Sequence, residues 1–199
     1  MKCHYIYSEN VKSLRERALD AAIELLGTRG LRALTHTRVD DHAGLPRGST
    51  SNYFRTRAAL LEGVVTWVTE QELADAAPDF DPSAASADDL VDFLCALITV
   101  QTEVFRSRTI ARYVLFLEGA NHESLRAPLV QNRQRFEQWT QSILTTMGAV
   151  SPVAATKALM ACSDGLVLHR ITVDPDAQLR PAIALAVYGC LGQPPPLEN

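Results

Sequence analysis

The chain has 199 residues, of which 47% are hydrophobic and 21% charged, and a net charge of −4 at pH 7. That length and apolar content allow a sizeable core in one or two small domains, and no apolar run approaches the ~18 residues of a spanning helix, which excludes a membrane protein of that kind. Cys3, Cys95, Cys162 and Cys190 form no close pair and the start MKCHYIYSENVK holds no apolar segment of signal-peptide length, so a reduced, cytoplasmic protein without zinc, disulfides or a membrane partner is expected.

Taken in order, the residues before Val11 match no element. A disordered start is expected there, with Lys2 and Lys12 placed to reach phosphate from a flexible arm. From Glu9 to Thr28 the apolar residues Leu14, Ala18, Ala21, Ala22, Leu25 and Leu26 recur at steps of three and four, the pattern of an amphipathic helix, and Gly30 closes it. Leu31 and Leu34 lead into a stretch from Thr35 to Leu61 that spells two short helices, a glycine turn and the start of a third. Thr35 supplies a cap, and Val39 and Ala43 lie four apart on one face. Gly44 ends that helix in the left-handed conformation it adopts without a Cβ penalty, Leu45 folds back onto Val39, and Pro46 prevents the helix from running on.

Arg47, Gly48, Ser49, Thr50, Ser51, Asn52 and Tyr53 then form a run of small, hydrogen-bonding and basic residues before a single residue built for burial, Phe54. A second short helix, one turn after the first, is the helix-turn-helix arrangement. It presents the first residues of the second helix to base edges in the major groove of double-stranded DNA. Thr56 caps the next helix with Arg57 in its first turn, where a cation opposes the helix dipole and a nearby phosphate is the natural partner. Residues 1–61 hold 10 basic against 6 acidic side chains and residues 62–199 hold 9 against 17, a basic head on an acidic body. Such a split suits a DNA-binding module joined to a part that avoids DNA.

The rest of the chain reads as helix throughout. Leu60, Leu61, Val64, Val65 and Val68 line one that runs to about Ala77, where Pro78, Asp79, Asp81 and Pro82 break it. Ser86 with Asp89 makes a capping-box-like start for a helix carrying Leu90, Phe93, Leu94, Leu97, Ile98, Val104 and Phe105. Further helices are expected from about Thr109 to Glu118 and from about Ser124 to Met147. Another is expected from Ser151-Pro152, a cap followed by a favoured first-turn proline, to about Thr172. A last one ends at Leu191, with Pro181 either in its first turn or bending it, and the tail from 194 to 199 is too proline-rich to pack. Trp67, Phe93, Phe105, Tyr113, Phe116, Trp139 and His169 either fill the core or line a cavity. His169 and Asp164, five apart, fall on different helix faces, and no Ser-His-Asp set, phosphate-cradling glycine loop or paired metal ligands occur. An enzyme, a metal and a cofactor are therefore not expected.

The order Thr35, Val39, Ala43-Gly44-Leu45, Gly48, Phe54, Arg57, Leu60-Leu61 resembles the DNA-binding domain of the tetracycline-repressor (TetR) family of bacterial transcription regulators. The resemblance covers the first third of the chain and departs from the family at three positions. Ser51 stands where an aromatic is usual, leaving Ser51 or Tyr53 as the phosphate contact. Asp40 stands where alanine is usual, and Arg57 replaces lysine. The resemblance implies an all-α protein with a three-helix DNA-binding domain over residues 1–61 and a helical ligand-binding and dimerisation domain over residues 62–193. It implies DNA contacts from Thr35, Thr37, Arg38, Arg47, Gly48, Ser49, Thr50, Ser51, Asn52, Tyr53 and Arg57. It also implies a homodimer joined through the last two helices, with Leu159, Leu166, Ile183, Val187 and Leu191 in the contact, and a small-molecule effector among the aromatics above. A repressor released by that effector is the expected function, with an activator or a ligand-independent DNA binder as the alternatives.

Overall fold

The computed structural model describes residues 12–75 and 80–194. Among them all regular structure is helical: α1 (Leu14–Arg29), a 3-10 turn (Leu31–Ala33), α2 (His36–Ala43), α3 (Ser49–Tyr53), α4 (Arg57–Asp75), α5 (Ala87–Thr102), α6 (Arg106–Gly119), α7 (Glu123–Thr146), α8 (Pro152–Thr172) and α9 (Arg180–Leu191). None of these helices is long and apolar enough to cross a membrane. Lys2, Cys3 and the expected disordered start lie outside the described residues, as do the expected end of α4 at Ala77, Pro78, Asp79 and all of the tail beyond Pro194.

Local chemistry sets most helix starts. Ser13 opens α1 with a full capping box, its hydroxyl accepting the Glu16 N–H at 3.2 Å while Glu16 accepts the Ser13 N–H at 2.7 Å. The expected start at Glu9 ignored that signal. Ser86 and Asp89 form the same reciprocal pair at α5, the shorter aspartate sufficing. The Thr56 hydroxyl accepts the Ala59 N–H at 3.1 Å in the first turn of α4. One end and two further starts depart from expectation: α5 stops at Thr102, before Val104 and Phe105. Helix α6 begins at Arg106, three residues before Thr109, and Ser151 contributes no side-chain cap to α8, where Pro152 alone marks the first turn. Pro181 does fall in the first turn of α9.

Two buried clusters organise the molecule. The first joins α1 to Leu34, Val39, Leu45 and Phe54, then to Leu60, Leu61, Val64, Val65 and Val68 of α4, and continues into α6 through Ala111 and Leu115 and into α7 through Leu125 and Leu129. The second gathers α5, α8 and α9 with Ile143 and Leu144 of α7. Residue 61, the expected boundary, lies inside one continuous helix, α4, whose buried residues all belong to the first cluster. Helix α1 is buried on more than the single stripe its spacing suggested, because Leu19 and Ile23 are covered as well as Ala18, Ala22, Leu25 and Leu26. It packs on α2 and α4 on one side and most extensively on α6 on the other.

The crossing of α1 and α6 has no spare room. A Cβ built on Gly27 would stand 2.1 Å from the Ser107 carbonyl oxygen, so only glycine lets the two backbones approach this closely. The Ser107 hydroxyl donates to Glu24 at 3.0 Å beside it. Replacing Gly27 by Ala must push the helices apart, and overpacking of this kind costs about 1–3 kcal/mol. Urea unfolding of Gly27→Ala at fixed protein concentration checks this; unchanged stability would mean that the seam yields freely.

Candidate functional site

Two glycine turns shape the reading unit. The Thr35 hydroxyl accepts the Arg38 N–H at the head of α2, and Gly44 closes α2 at φ 60°, ψ 38°. The Leu45 N–H returns to the Asp40 carbonyl at 2.9 Å, a helix-ending turn that tucks Leu45 into the same cluster as Val39. Gly48 is also left-handed, at φ 88°, and starts α3 without any side-chain cap of its own. The cap comes from α2 instead. Asp40, only 1% exposed, accepts the N–H groups of Gly48 and Thr50, each at 2.8 Å, and the Thr50 hydroxyl at 2.5 Å. Sequence reading noted Asp40 only as a departure; its carboxylate sets the angle between the two helices. At the other end of α3, His36 donates from Nε2 to the Phe54 carbonyl at 2.6 Å, which requires the proton on that nitrogen.

These bonds divide the expected DNA contacts into two groups. Thr35, Thr37, Arg38, Arg47, Ser51, Asn52, Tyr53 and Arg57 are exposed and Gly48 is half-buried, whereas Ser49 and Thr50 are buried. Ser49 and Thr50 were expected to face DNA. They turn inward because α3 is only five residues long and its first turn is drawn beneath Asp40. Asn52 and Tyr53 project outward without a hydrogen bond to the chain, and the Ser51 hydroxyl donates back to the Gly48 carbonyl at 2.9 Å. Arg57 donates to the Leu31 carbonyl at 3.1 Å, so its place in the first turn of α4 has a cause inside the chain as well. Arg17 similarly donates to the Ala43 carbonyl at the end of α2, where a cation suits the helix dipole.

Burial works to raise the pKa of Asp40, but the hydrogen bonds from Thr50 and Gly48, helped by His36, outweigh it and hold the carboxyl below its ordinary 3.8. A carboxylate with a depressed pKa stabilises the folded chain fully above its ordinary value and loses that contribution as pH falls through the depressed one. Asp40→Ala leaves the donors of Gly48 and Thr50 without their charged acceptor, at a cost of about 1.5–3 kcal/mol. It should also flatten the decline in stability on the acid side. Urea unfolding of both proteins from neutral pH down to pH near 3 measures each effect; parallel pH curves would remove the carboxylate from this role.

A cavity of about 1130 Å³ lies among α1, α4, α5, α6, α7 and α8. Of the seven residues read as core or cavity wall, Phe105, Tyr113, Phe116 and Trp139 line it. The other three do not. Trp67 packs against the first buried cluster, its indole N–H donating to Asp20 at 2.7 Å; Phe93 packs against Phe80 and Trp139 with ring centroids 4.7 and 6.0 Å away; His169 is exposed. Polar residues that sequence reading passed over complete the wall. Arg112 bridges Glu72 at 2.8 Å and reaches Gln101 at 3.3 Å, and Asn132 donates to Glu72 at 3.3 Å. Burial would lower the pKa of Arg112, but Glu72 beside it reverses the sign and keeps the guanidinium charged. At the rim Arg133 grips Asp164 through both nitrogens. A signal was present: Asn132 continues the inward stripe Leu125, Leu129 on α7, and Glu72 continues Val64, Val68 on α4, each a polar side chain at an apolar position.

The expected interface residues are placed differently. Leu159, Ile183, Val187 and Leu191 are 2%, 0%, 0% and 7% exposed and fill the body's own core, with Leu166 packed partly against it. They lie on the inward face of α8 and α9, which the chain itself covers. The outward face carries Ala154, Ala158, Ala161, Gly165 and Leu168 at alternating steps of four and three on α8, beside Leu185 and Gly189 of α9.

Residues 18–64 match the family model of bacterial regulatory proteins of the tetR family, and residues 85–192 match that of the tetracyclin repressor-like C-terminal domain. No curated protein sequence matches the chain. Among solved structures, a TetR-family member from Streptomyces coelicolor A3 is 24% identical over 88% of this chain and 96% of its own, with a TM-score of 0.68. A transcriptional regulator from Rhodococcus sp. Rha1 is 19% identical over 90% of this chain and 97% of its own, with a TM-score of 0.75. The multidrug binding protein EbrR, complexed with ethidium, is 23% identical over 87% of this chain and 96% of its own, with a TM-score of 0.65. At these identities the likeness is one of fold.

Proposed function

The chain belongs to the TetR family of bacterial regulatory proteins, and on that premise we propose that it is a homodimeric, sequence-specific repressor released from its operator by a small molecule held in the body cavity. The observation that carries the reading is the outward row of Asn52 and Tyr53 on α3, flanked by Arg38 and Arg47 and locked in angle by the buried Asp40. Asn52, Tyr53 and Arg47 read base edges. Thr35, Thr37, Arg38, Ser51 and Arg57 hold phosphates, which fix register without reading sequence. The cavity and the ethidium bound by EbrR support a small-molecule effector here. A second copy meets the outward face of α8 and α9 and sets two reading helices about 34 Å apart, one turn of DNA. The effector acts by binding more tightly to a conformer in which that spacing is lost.

DNA flanking the protein's own gene is the first target to test, by fluorescence anisotropy with and without candidate compounds. There, Asn52→Ala should lose about 1–3 kcal/mol against one base pair and little against others, while Arg38→Ala should weaken every duplex alike. The reverse pattern would exchange their roles. Leu185→Glu alters a side chain 66% exposed in the single chain, so the fold should persist while the dimer does not form. Its specific DNA affinity should fall with the loss of two linked heads. Mass in solution measured beside DNA affinity decides this: a dimer that still binds would place the contact elsewhere.

A further inference from the structure

Among the described residues, the cavity wall holds one buried side-chain acceptor without a hydrogen-bond partner. Asn132 is 7% exposed and lines the cavity, and its Oδ1 has no hydrogen-bond partner, while its Nδ2 donates to Glu72 Oε2 at 3.3 Å. That neighbour settles the orientation of the amide, because only the NH₂ end can face a carboxylate, so the carbonyl end is the one left for an incoming group. Leu129, Phe136 and Trp139 flank it on the same face of α7, three, four and seven residues away, and make the surround apolar.

All but one of the carboxylates in the cavity wall are already matched by a cation. Glu72 is paired with Arg112 at 2.8 Å, Asp164 with Arg133, Asp75 with Arg108, and Asp20 with Lys12 at 2.7 Å. Glu24, the remaining carboxylate of the wall, accepts the Ser107 hydroxyl at the α1–α6 seam. Apart from Glu24 at the α1–α6 seam, a cationic ligand would meet carboxylates already held by cations, and an anionic one guanidiniums already held by carboxylates, so beside Asn132 either would shed its water without a counter-charge. A neutral donor pays no such penalty and satisfies the orphan oxygen.

We infer that the ligand of this cavity is an uncharged, mainly aromatic molecule carrying a hydroxyl or N–H group that donates to Asn132 Oδ1. The inference rests on the proposed reading of the cavity as the effector site and narrows its chemistry. Four probes with one ring system test it on the full-length protein: hydroxypyrene, methoxypyrene, pyrenecarboxylate and pyrenylmethyl-trimethylammonium. Binding is measured by calorimetry and operator release separately by anisotropy. Hydroxypyrene should bind about tenfold more tightly than methoxypyrene, which accepts but cannot donate, and more tightly than both ions. In Asn132→Leu that preference should vanish while methoxypyrene binds as before.

Equal binding of the hydroxyl and methoxy probes, or tightest binding of either ion, overturns the inference. That comparison needs only the unaltered protein, so it stands even where Asn132→Leu fails to fold. A preference for hydroxypyrene that survives in a folded Asn132→Leu also overturns it. Failure of all four to bind overturns the inference and the effector reading together. The expected order of binding without operator release upholds the ligand class and overturns the effector reading alone.

Discussion

The close crossing of α1 and α6 at Gly27 decides how the reading head sits on the body. Backbone meets backbone there, with no side chain between to yield, and the buried cluster of the head runs straight across the seam into Ala111 and Leu115. Packed interiors transmit displacement rather than absorb it. The same helix that touches α1 at Ser107 presents Arg112, Tyr113 and Phe116 to the cavity. Helix α4 makes a second shared element, with Leu60 and Leu61 in the head and Glu72 in the cavity wall. What touches the cavity therefore touches elements that also hold the reading unit.

Within that unit, a buried carboxylate does the work that a local cap does elsewhere. Five residues are too few for α3 to hold itself, since a single helical turn fixes many dihedrals for few bonds. Asp40 supplies the missing acceptors from α2, and Gly48 supplies the left-handed turn that brings two N–H groups onto one carboxylate. The consequence is a division of labour along α3. Ser49 and Thr50 are spent inside the protein, and the outward side is left to Ser51, Asn52 and Tyr53.

The cavity follows a similar economy of charge. Its wall mixes aromatics with ion pairs, each closed on itself, and among the described residues leaves the Glu24 carboxylate alone without a cation. Arg112 shows why this is tolerated: a guanidinium removed from water keeps its charge because Glu72 and Gln101 occupy its donors.

Helix content, the glycine turn at Gly44, the capping box at Ser86 and the proline-marked starts were legible in the sequence because each depends on residues within a few positions of one another. The family was legible for the same reason, its motif lying in one continuous stretch. Periodicity also marked which helices carried broad apolar surface. It did not say which side of α8 and α9 the chain would cover for itself, so Leu159, Ile183, Val187 and Leu191 passed for an outer face when they are core, and nothing marked the face of Ala154, Ala158, Ala161, Gly165 and Leu168 as the uncovered one. Nor did it separate Phe105, Tyr113, Phe116 and Trp139, which line the cavity, from Trp67, Phe93 and His169, which do not. Asp40 and Thr50 are ten residues apart, Glu72 and Asn132 sixty, and Gly27 and Ser107 eighty. Contacts at such separations depend on how finished helices stack, so the buried cap, the polar wall and the tight seam were decided by tertiary packing alone.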